Sequence, residues 1–285
     1  MLSIATDYAK DFGCPHEYLV RIAEAGFTHV HWCHHWCTDF LYAPAEVSQI
    51  GRWLNELDLK LLDLHASHGR EKAWMSAREY ERLAGLELVA NRIEMTADLG
   101  GDAIVIHLDR PNEQTDPQGW DRAWRSLDAL EGVSRKRGVR IAVENGSFDD
   151  IAKVCERYAA DYVGLCLDSG HNNIGGNGSF AGPERLKDRL VAVHLHDNDG
   201  KADQHKPLFS GTTDWEALAA VIARSAYAKP VSMEVGIQNS GFTDESAFLA
   251  KAFETGSKFA DMVAHARKAT KRRRATRKGP RKDQA

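Results

Sequence analysis

The stretch LVAVHLHD, residues 190–197, joins an apolar run to side chains that bind metals or move protons. A strand buried in a parallel sheet is apolar along its whole length, so polar residues at its carboxyl end need a separate reason. Six further apolar runs end in the same way, at His31, His65, His107, Glu144, Asp168 and Glu234. One such residue often caps the next helix. Seven in register predict a shared site instead.

The predicted strands alternate with helix-like segments, which is typical of a parallel α/β architecture. Eight strands are predicted, at residues 2–6, 28–33, 59–65, 102–107, 139–144, 162–168, 190–197 and 230–235. The 285 residues suit a single (β/α)8 TIM barrel, a fold that needs about 250 and places its active site at the carboxyl ends of the strands. A doubly wound open sheet is the alternative, but no Gly-x-Gly-x-x-Gly turn follows the first strand.

The carboxyl-terminal segment differs in charge from the rest of the chain. From Ala266 onwards there are ten Lys or Arg and one acidic residue, a balance of +9 in a chain of net charge −4. The preceding body therefore carries −13. We predict a barrel domain over residues 1–264 and a basic, disordered tail over residues 265–285. The acidic body disfavours a specific nucleic-acid partner, although the tail can hold a polyanion loosely.

Composition and cysteine usage narrow the class of protein. The chain is 43% hydrophobic and 27% charged, which is ordinary for a globular protein. No apolar run approaches the ~20 residues of a membrane span, and the first residues, MLSIATDYAK, lack the layout of a secretory signal. Five cysteines leave an odd one unpaired and show no zinc-knuckle spacing. Reduced thiols in a cytoplasmic enzyme are the simplest interpretation.

The polar strand ends form a donor set of carboxylates and imidazoles. Such a set suits Mn²⁺, Mg²⁺, Co²⁺ or Zn²⁺, whereas a thiolate-rich set would favour zinc or copper. Four motifs carry these residues: CLDSGH (166–171), HLHD (194–197), Asp203-Gln204-His205 and SMEV (232–235). Together they resemble the xylose-isomerase-like barrel superfamily. That group includes sugar and sugar-phosphate isomerases, sugar 3-epimerases and the endonuclease IV type of DNA-repair enzyme. The resemblance runs from Leu2 to about Ala264 and excludes the tail.

The resemblance to the single-metal epimerases implies one divalent cation, with Mn²⁺ the expected ion. Its ligands would be Glu144, Asp168, His194 and Glu234. It also implies an isomerase or epimerase that removes a proton next to a sugar carbonyl. A divalent ion stabilises the resulting enediolate by several kcal/mol. Glu144 and Glu234 would be the catalytic pair, one taking the proton and the other returning it on the opposite face.

The predicted substrate is a small carbohydrate, phosphorylated or not. The resemblance implies that substrate oxygens are contacted by His171, and it places His65, His107 and His205 where they could do the same. Trp32, in the segment HWCHHW (31–36), is expected to stack on a sugar ring. The alternative for Trp32 and Trp36 is packing in the barrel rim. A homo-oligomer is left open.

The endonuclease branch is the main alternative. It needs three zinc ions, and its additional ligands map onto His65, His107, His171, Asp203 and His205, all of which are present. Two departures favour the sugar branch: His107-Leu108-Asp109 stands in place of a His-Pro-Gly run, and Asn145-Gly146 follows Glu144 in place of small hydroxyl residues. The segment SGTTDW (210–215) also resembles a turn common among sugar-acting members.

Two further interpretations share the scaffold. A lyase or dehydratase acting on an oxidised sugar would use the same first proton abstraction, so the sequence does not separate elimination from epimerisation. A non-catalytic sugar-binding barrel has no need for two glutamates on one metal. We therefore expect a metal-dependent sugar isomerase or epimerase.

Overall fold

The computed structural model describes residues 1–108, 114–175 and 178–277. Eight strands lie within the predicted segments: β1 (Leu2–Ala5), β2 (His29–Trp32), β3 (Lys60–His65), β4 (Ala103–His107), β5 (Arg140–Glu144), β6 (Val163–Asp168), β7 (Leu190–His194) and β8 (Val231–Met233). They pair in parallel in the order β7-β6-β5-β4-β3-β2-β1-β8. This order is that of a TIM barrel opened between β7 and β8.

One residue beyond β7 joins the two ends of the sheet. Leu195 forms an isolated parallel bridge with Met233. Its amide donates to Ser232 O at 3.0 Å, and Glu234 N donates to Leu195 O at 3.0 Å. The predicted seventh strand therefore ends earlier, at His194, but its next residue closes the barrel. We refer to this joint as the β7–β8 seam.

Helices follow the strands and cover the outside of the barrel. They are α1 (His16–Glu24), α2 (Pro44–Glu56), α3 (Glu79–Asp98), α4 (Gly119–Arg137), α5 (Phe148–Arg157), α6 (Ser169–Gly175), α7 (Ala181–Leu186), α8 (Trp215–Arg224) and α9 (Glu245–Arg277). The short α6 begins directly after β6 and was not predicted, because SGHNNIG carries no helical apolar period. Its position matters for the site, since it presents His171.

The last helix is longer than the sequence pattern indicates. We expect it to end near Ala264, whereas α9 runs to Arg277 without a break. Alanine, lysine and arginine are strong helix formers, and Arg267 Nη2 donates to the carbonyl of Tyr227 on the barrel body. Residues 265–277, predicted as disordered tail, are therefore helical. Residues 278–285 lie outside the described part of the chain, so their disorder stays a prediction.

The core consists of the strands and the inner faces of the helices. Ile4, Val30, Leu64, Ile104 and Val143 are buried between sheet and helices. Inside the barrel the layers are small or polar instead, and include Ser3, His31 and Asp63, each fully buried. No helix among the described residues is long and apolar enough to cross a bilayer.

Candidate active site

The polar strand ends converge at one mouth of the barrel. Since all strands are parallel, their carboxyl ends lie at the same edge. The residues form three adjoining groups. The first cluster is His65, His107 and Glu144; the central cluster is Glu144, Cys166, His194 and Glu234; the outer cluster is Asp168, His171, His196, Asp203 and His205. Glu144 belongs to two of them and joins β4, β5 and β7.

The first cluster is compact. His65 Nε2 lies 3.0 Å from His107 Nε2, which in turn lies 3.1 Å from Glu144 Oε2. Asn145 adds its amide nitrogen 3.0 Å from His107 Nε2, and it does so from a left-handed backbone with φ 61°. Ligand atoms of the three cluster residues all lie within 4.8 Å of one another. Such spacing suits donors that share one ion.

In the central cluster, one imidazole nitrogen faces two glutamates. His194 Nδ1 lies 2.6 Å from Glu144 Oε1 and 3.3 Å from Glu234 Oε2. It is buried and not aligned for a hydrogen bond with either. The thiol of Cys166 donates to Glu144 Oε1 at 3.3 Å. Three of the four predicted metal ligands thus meet around one point.

Asp168, the fourth predicted ligand, makes its contacts in the outer cluster. Its carboxylate lies 3.0 Å from His196 Nε2 and 3.4 Å from His171 Nδ1. Asp203 Oδ2 lies 3.4 Å from His171 Nε2 and 3.1 Å from His205 Nε2. Asp168 stands beside His194 in the register of β6 and β7. Its place in the four-ligand set remains a prediction.

Backbone carbonyls orient two of these histidines. His65 Nδ1 lies 3.0 Å from Ala66 O, and His205 Nδ1 lies 2.7 Å from Glu234 O. A carbonyl accepts, so Nδ1 carries the proton in both rings and Nε2 is directed into the site. This arrangement is common for metal-ligating histidines. His194, His171 and His196 also have buried nitrogens without a hydrogen-bond partner among the described residues, and both observations fit a divalent cation.

Charge balance in the metal-free mouth is set by these contacts. Burial alone would raise the pKa of Glu144 and Glu234, but the neighbouring His194 lowers both, that of Glu234 to about 2. Burial would lower the pKa of His194, yet Cys166, Glu144 and Glu234 raise it well above its usual range. The metal-free site therefore holds a proton on the nitrogen that faces the glutamates, where a cation would take its place.

The outer cluster behaves in the same way. Against the effect of burial, Asp168 raises the pKa of His171 to about 11. Asp203 and Glu234 raise that of His205 to about 10, again against burial. The pKa of Asp203 lies far below its usual range because His171 and His205 outweigh its partial burial. Both imidazoles are thus cationic at neutral pH without metal.

The two tryptophans of the HWCHHW segment have different places. Trp32 is fully buried outside the barrel wall, where its Nε1 donates to Tyr42 Oη at 2.9 Å. This does not support the prediction that Trp32 contacts a substrate: along a strand, its side chain faces opposite to that of His31. Trp36 occupies the mouth, with its ring 4.4 Å from that of His65 and 5.4 Å from that of His107.

Sequence reasoning missed His196 as a site residue. Residues two apart in extended chain share a face, so its spacing from His194 could have revealed it. The ring of His196 stacks on that of His205 with centroids 4.0 Å apart. Gly170 allows this packing, because a Cβ at that position would collide with the His196 ring.

The SGTTDW turn is anchored by a buried carboxylate. Asp197 accepts from the amides of Gly211 and Thr213 at 2.9 and 3.1 Å, and from Trp215 Nε1 at 3.1 Å. This fixes the long connection after β7, on which Asp203 and His205 lie. The departure at His107-Leu108-Asp109 is only partly visible, because Asp109 lies outside the described residues.

Comparison with known proteins identifies the family of the chain. The model of the xylose isomerase-like TIM barrel family matches residues 19–252. The chain belongs to this family. A relative in Sinorhizobium fredii, the uncharacterized protein y4fM, is 31% identical over 287 residues, covering 90% of this chain and 92% of the relative.

Two further similar proteins have names that describe different activities. A probable endonuclease 4 of Mycobacterium leprae is 28% identical over 191 residues, covering 61% of this chain and 72% of the relative. Among solved structures, an L-ribulose 3-epimerase superposes with a TM-score of 0.75 at 18% identity, covering 99% of both chains. At that identity the superposition shows the shared fold alone.

Proposed function

We propose that this protein is a divalent-metal-dependent isomerase or epimerase of a small sugar or sugar phosphate, acting in the cytoplasm. The observation that carries the proposal is the approach of Glu144 and Glu234 to the same nitrogen of His194. Two carboxylates that approach the same position in the site are suited to remove a proton from one face of a bound carbon and to deliver it to the other face. The structural likeness to an L-ribulose 3-epimerase supports this choice.

Glu144, Asp168, His194 and Glu234 would hold the cation, with Mn²⁺ the expected ion. The chemistry that a bound cation supplies is polarisation of the substrate carbonyl and hydroxyl. His107 orients Glu144 through its contact with Oε2, and Asn145 in turn contacts His107. His205 is oriented by the carbonyl of Glu234. Imidazoles of the first and outer clusters would then bind substrate hydroxyls, and Trp36 would cover the sugar.

The proton-transfer assignment is tested by exchange in D₂O. Wild-type protein loaded with Mn²⁺ is expected to incorporate deuterium from solvent into one carbon of a ketose in a panel of free and phosphorylated sugars. Glu144→Gln and Glu234→Gln should each reduce the exchange rate at least ~100-fold, the usual contribution of general acid–base catalysis. The matched control is Glu254→Gln on the exposed face of α9, where Glu254 pairs only with Lys251 among the described ion pairs.

Wild-type exchange rates in Glu144→Gln or Glu234→Gln, with Mn²⁺ bound, would contradict the assignment. Elimination by a lyase would appear as a dehydrated product in place of an epimer. A non-catalytic sugar-binding barrel would show binding without exchange.

A three-zinc abasic-site endonuclease is the second candidate. It is favoured by the contacts of Asp203 with His171 and His205, which complete a separate ligand group, and by the likeness to a probable endonuclease 4. The net charge of −13 on the body disfavours a DNA-binding groove. Elemental analysis separates the two: one ion per chain is expected, whereas three zinc ions together with cleavage of an abasic duplex would establish the endonuclease.

A further inference from the structure

A cavity adjoins the mouth of the barrel on one side. It lies between the carboxyl ends of β5 and β6, the start of α5 and the short α6, and has a volume of about 430 Å³. Cys166, Asp168 and His171 line its inner end, so it borders the central and outer clusters. We refer to it as the β5–β6 cavity. Pockets that bind small molecules measure roughly 300–1,000 Å³, so this space has the size of a binding site.

One carboxamide that lines the β5–β6 cavity has no partner. Asn172 belongs to α6 and is 4% exposed, yet neither its Oδ1 nor its Nδ2 forms a hydrogen bond within the described part of the chain. An unpaired buried polar group is unfavourable for folding and needs an explanation. A carboxamide both donates and accepts hydrogen bonds, as a hydroxyl does. A bound hydroxyl group would therefore satisfy Asn172.

A second carboxamide lines the same cavity from the end of β5. Asn145 Nδ2 lies 3.0 Å from His107 Nε2, whereas its Oδ1 is buried and has no partner among the described residues. The backbone of Asn145 is left-handed, with φ 61°. Such a conformation is uncommon for a residue other than glycine and is found preferentially at functional sites. Two separate elements thus present unpaired carboxamide atoms to one space.

Apolar side chains form much of the remaining wall. Phe148 and Ile151 contribute from α5, and Ile174 contributes from α6. The C–H faces of a sugar ring pack well on such surfaces, and best on an aromatic one. Apolar wall and carboxamides together match a ligand that has apolar faces and hydroxyl edges.

The charges around the β5–β6 cavity disfavour an anion. Its described lining contains no lysine or arginine, the side chains that usually bind a phosphate. His171 lies between two carboxylates, 3.4 Å from Asp168 Oδ1 and 3.4 Å from Asp203 Oδ2, so any positive charge on it is already balanced. The first turn of α5, whose amides could bind a phosphate, carries Asp149 and Asp150. A phosphate would therefore be repelled there.

We propose that the β5–β6 cavity binds a second, uncharged sugar ring of the substrate. The carboxamides of Asn172 and Asn145 bind its hydroxyls, and the ring packs against Phe148 and Ile151. The substrate is then a disaccharide or another glycoside without a phosphate, whose first ring lies at the cation. This inference rests on the proposed function for the place of the first ring, and it narrows the substrate class of that proposal.

Titration calorimetry with matched sugars tests the inference on the full-length protein loaded with Mn²⁺. The probes are D-fructose, D-fructose 6-phosphate and two disaccharides that attach a second ring to fructose: isomaltulose through O6 and lactulose through O4. At least one disaccharide should bind roughly 10-fold more tightly than D-fructose, the effect of two additional hydrogen bonds. D-fructose 6-phosphate should bind no more tightly than D-fructose.

A substitution at Asn172 tests which side chain gives the preference. Asn172→Leu removes the carboxamide at nearly constant size. It should lower the affinity for the preferred disaccharide by roughly 10-fold, and by clearly more than the affinity for D-fructose. Asn55→Leu is the matched control, because Asn55 is exposed on α2 and borders a different cavity at the opposite end of the barrel. Its disaccharide affinity should stay within about twofold of the wild type.

Equal affinities of the wild type for D-fructose and both disaccharides would overturn the inference, and this comparison needs no variant to fold. Tighter binding of D-fructose 6-phosphate than of either disaccharide would also overturn it. So would an equal loss of affinity for D-fructose and the disaccharide in Asn172→Leu.

Deuterium exchange into the same sugars separates this inference from the proposed function. Preferred binding of a disaccharide without exchange would sink the proposed function and leave the second-ring site standing. Exchange into D-fructose with no preference for a disaccharide would sink only the inference. Absence of binding by all four sugars would overturn both.

Discussion

Trp36 is the aromatic side chain that the segment after β2 contributes to the mouth. It lies against His65 and His107, whereas Trp32, four residues earlier, bonds Tyr42 inside the outer core. The sequence analysis assigned the contact with the sugar to Trp32 and left packing in the barrel rim as the alternative. Strand alternation argues against Trp32, because it belongs to β2 next to the inward-facing His31.

Replacing these tryptophans should separate substrate binding from folding. Trp36→Ala is expected to raise the KM for the sugar by roughly 5- to 10-fold, since an aromatic contact contributes about 1 kcal/mol, with little change in Tm. Trp32→Phe should lower Tm and leave KM unchanged, because it removes a buried hydrogen bond. Steady-state kinetics and thermal unfolding measure both. A Trp36→Ala enzyme with wild-type KM would show that the indole does not contact the substrate.

The pH dependence of the metal-free protein follows from His171 and His205. Their pKa values, about 11 and about 10, lie above the ordinary 6.5. Because folding raises these pKa values, the two imidazoles contribute stability that is fully present below pH 6.5. That contribution is lost as the pH rises through the pKa values of the folded state. We expect the Tm of the metal-free protein to fall from about pH 7 to about pH 9, and to fall less with Mn²⁺ bound, since the ion replaces the protons. A rising Tm without metal would contradict this.

At the scale of elements, α9 extends past the predicted end of the domain and contacts the loop before β8. Arg267 donates to Tyr227 O, one turn beyond the predicted boundary at residue 264. The part of α9 that contacts the barrel therefore extends beyond the end of its apolar pattern. The basic sequence did not indicate this, because a basic segment is compatible with either a solvated helix or a disordered tail.

Arg267→Ala should lower the free energy of unfolding by about 1 kcal/mol, the contribution of one hydrogen bond. Lys268→Ala, at an exposed neighbouring position, is the control and should change it by less than ~0.5 kcal/mol. Urea denaturation measures both. Equal effects of the two substitutions would mean that the contact with Tyr227 does not stabilise the protein.

The strands were predictable because each is a short apolar run, seven of them with a polar end, and all eight lie where expected. The three clusters were predictable only as a set of residues. Which side chains touch depends on register: the shift between Leu165 and Cys166 sets Asp168 beside His194. Long connections bring Asp203 and His205 back to the mouth. Neither the register shift nor the path of the long connection is encoded by the local sequence pattern, and α6 has no periodic signal at all.

For the whole molecule, the decisive feature is that the predicted ligands lie on both sides of the β7–β8 seam. His194 ends β7, Glu234 follows β8, and Leu195 supplies the hydrogen bonds between them. A cation shared by His194 and Glu234 would therefore connect the two strands at the least-paired joint of the barrel.

Metal should therefore stabilise the fold strongly. At a Mn²⁺ concentration 100-fold above Kd, linkage gives about 2.7 kcal/mol, which corresponds to a rise in Tm of roughly 5–10 °C for a protein of this size. Differential scanning calorimetry with and without Mn²⁺ measures it. Glu234→Gln should abolish most of the shift. An equal shift in that variant would place the ion elsewhere.

In the proposed site, loss of the ion would be accompanied by a structural change at the seam. If the bonds of Leu195 opened, Glu234 would move away from His194, so in the proposed site release of the cation and local opening of the ring of strands would be one thermodynamic event. Starvation for metal would then act on this protein twice, by removing its proposed chemistry and by loosening the strand pair at the seam.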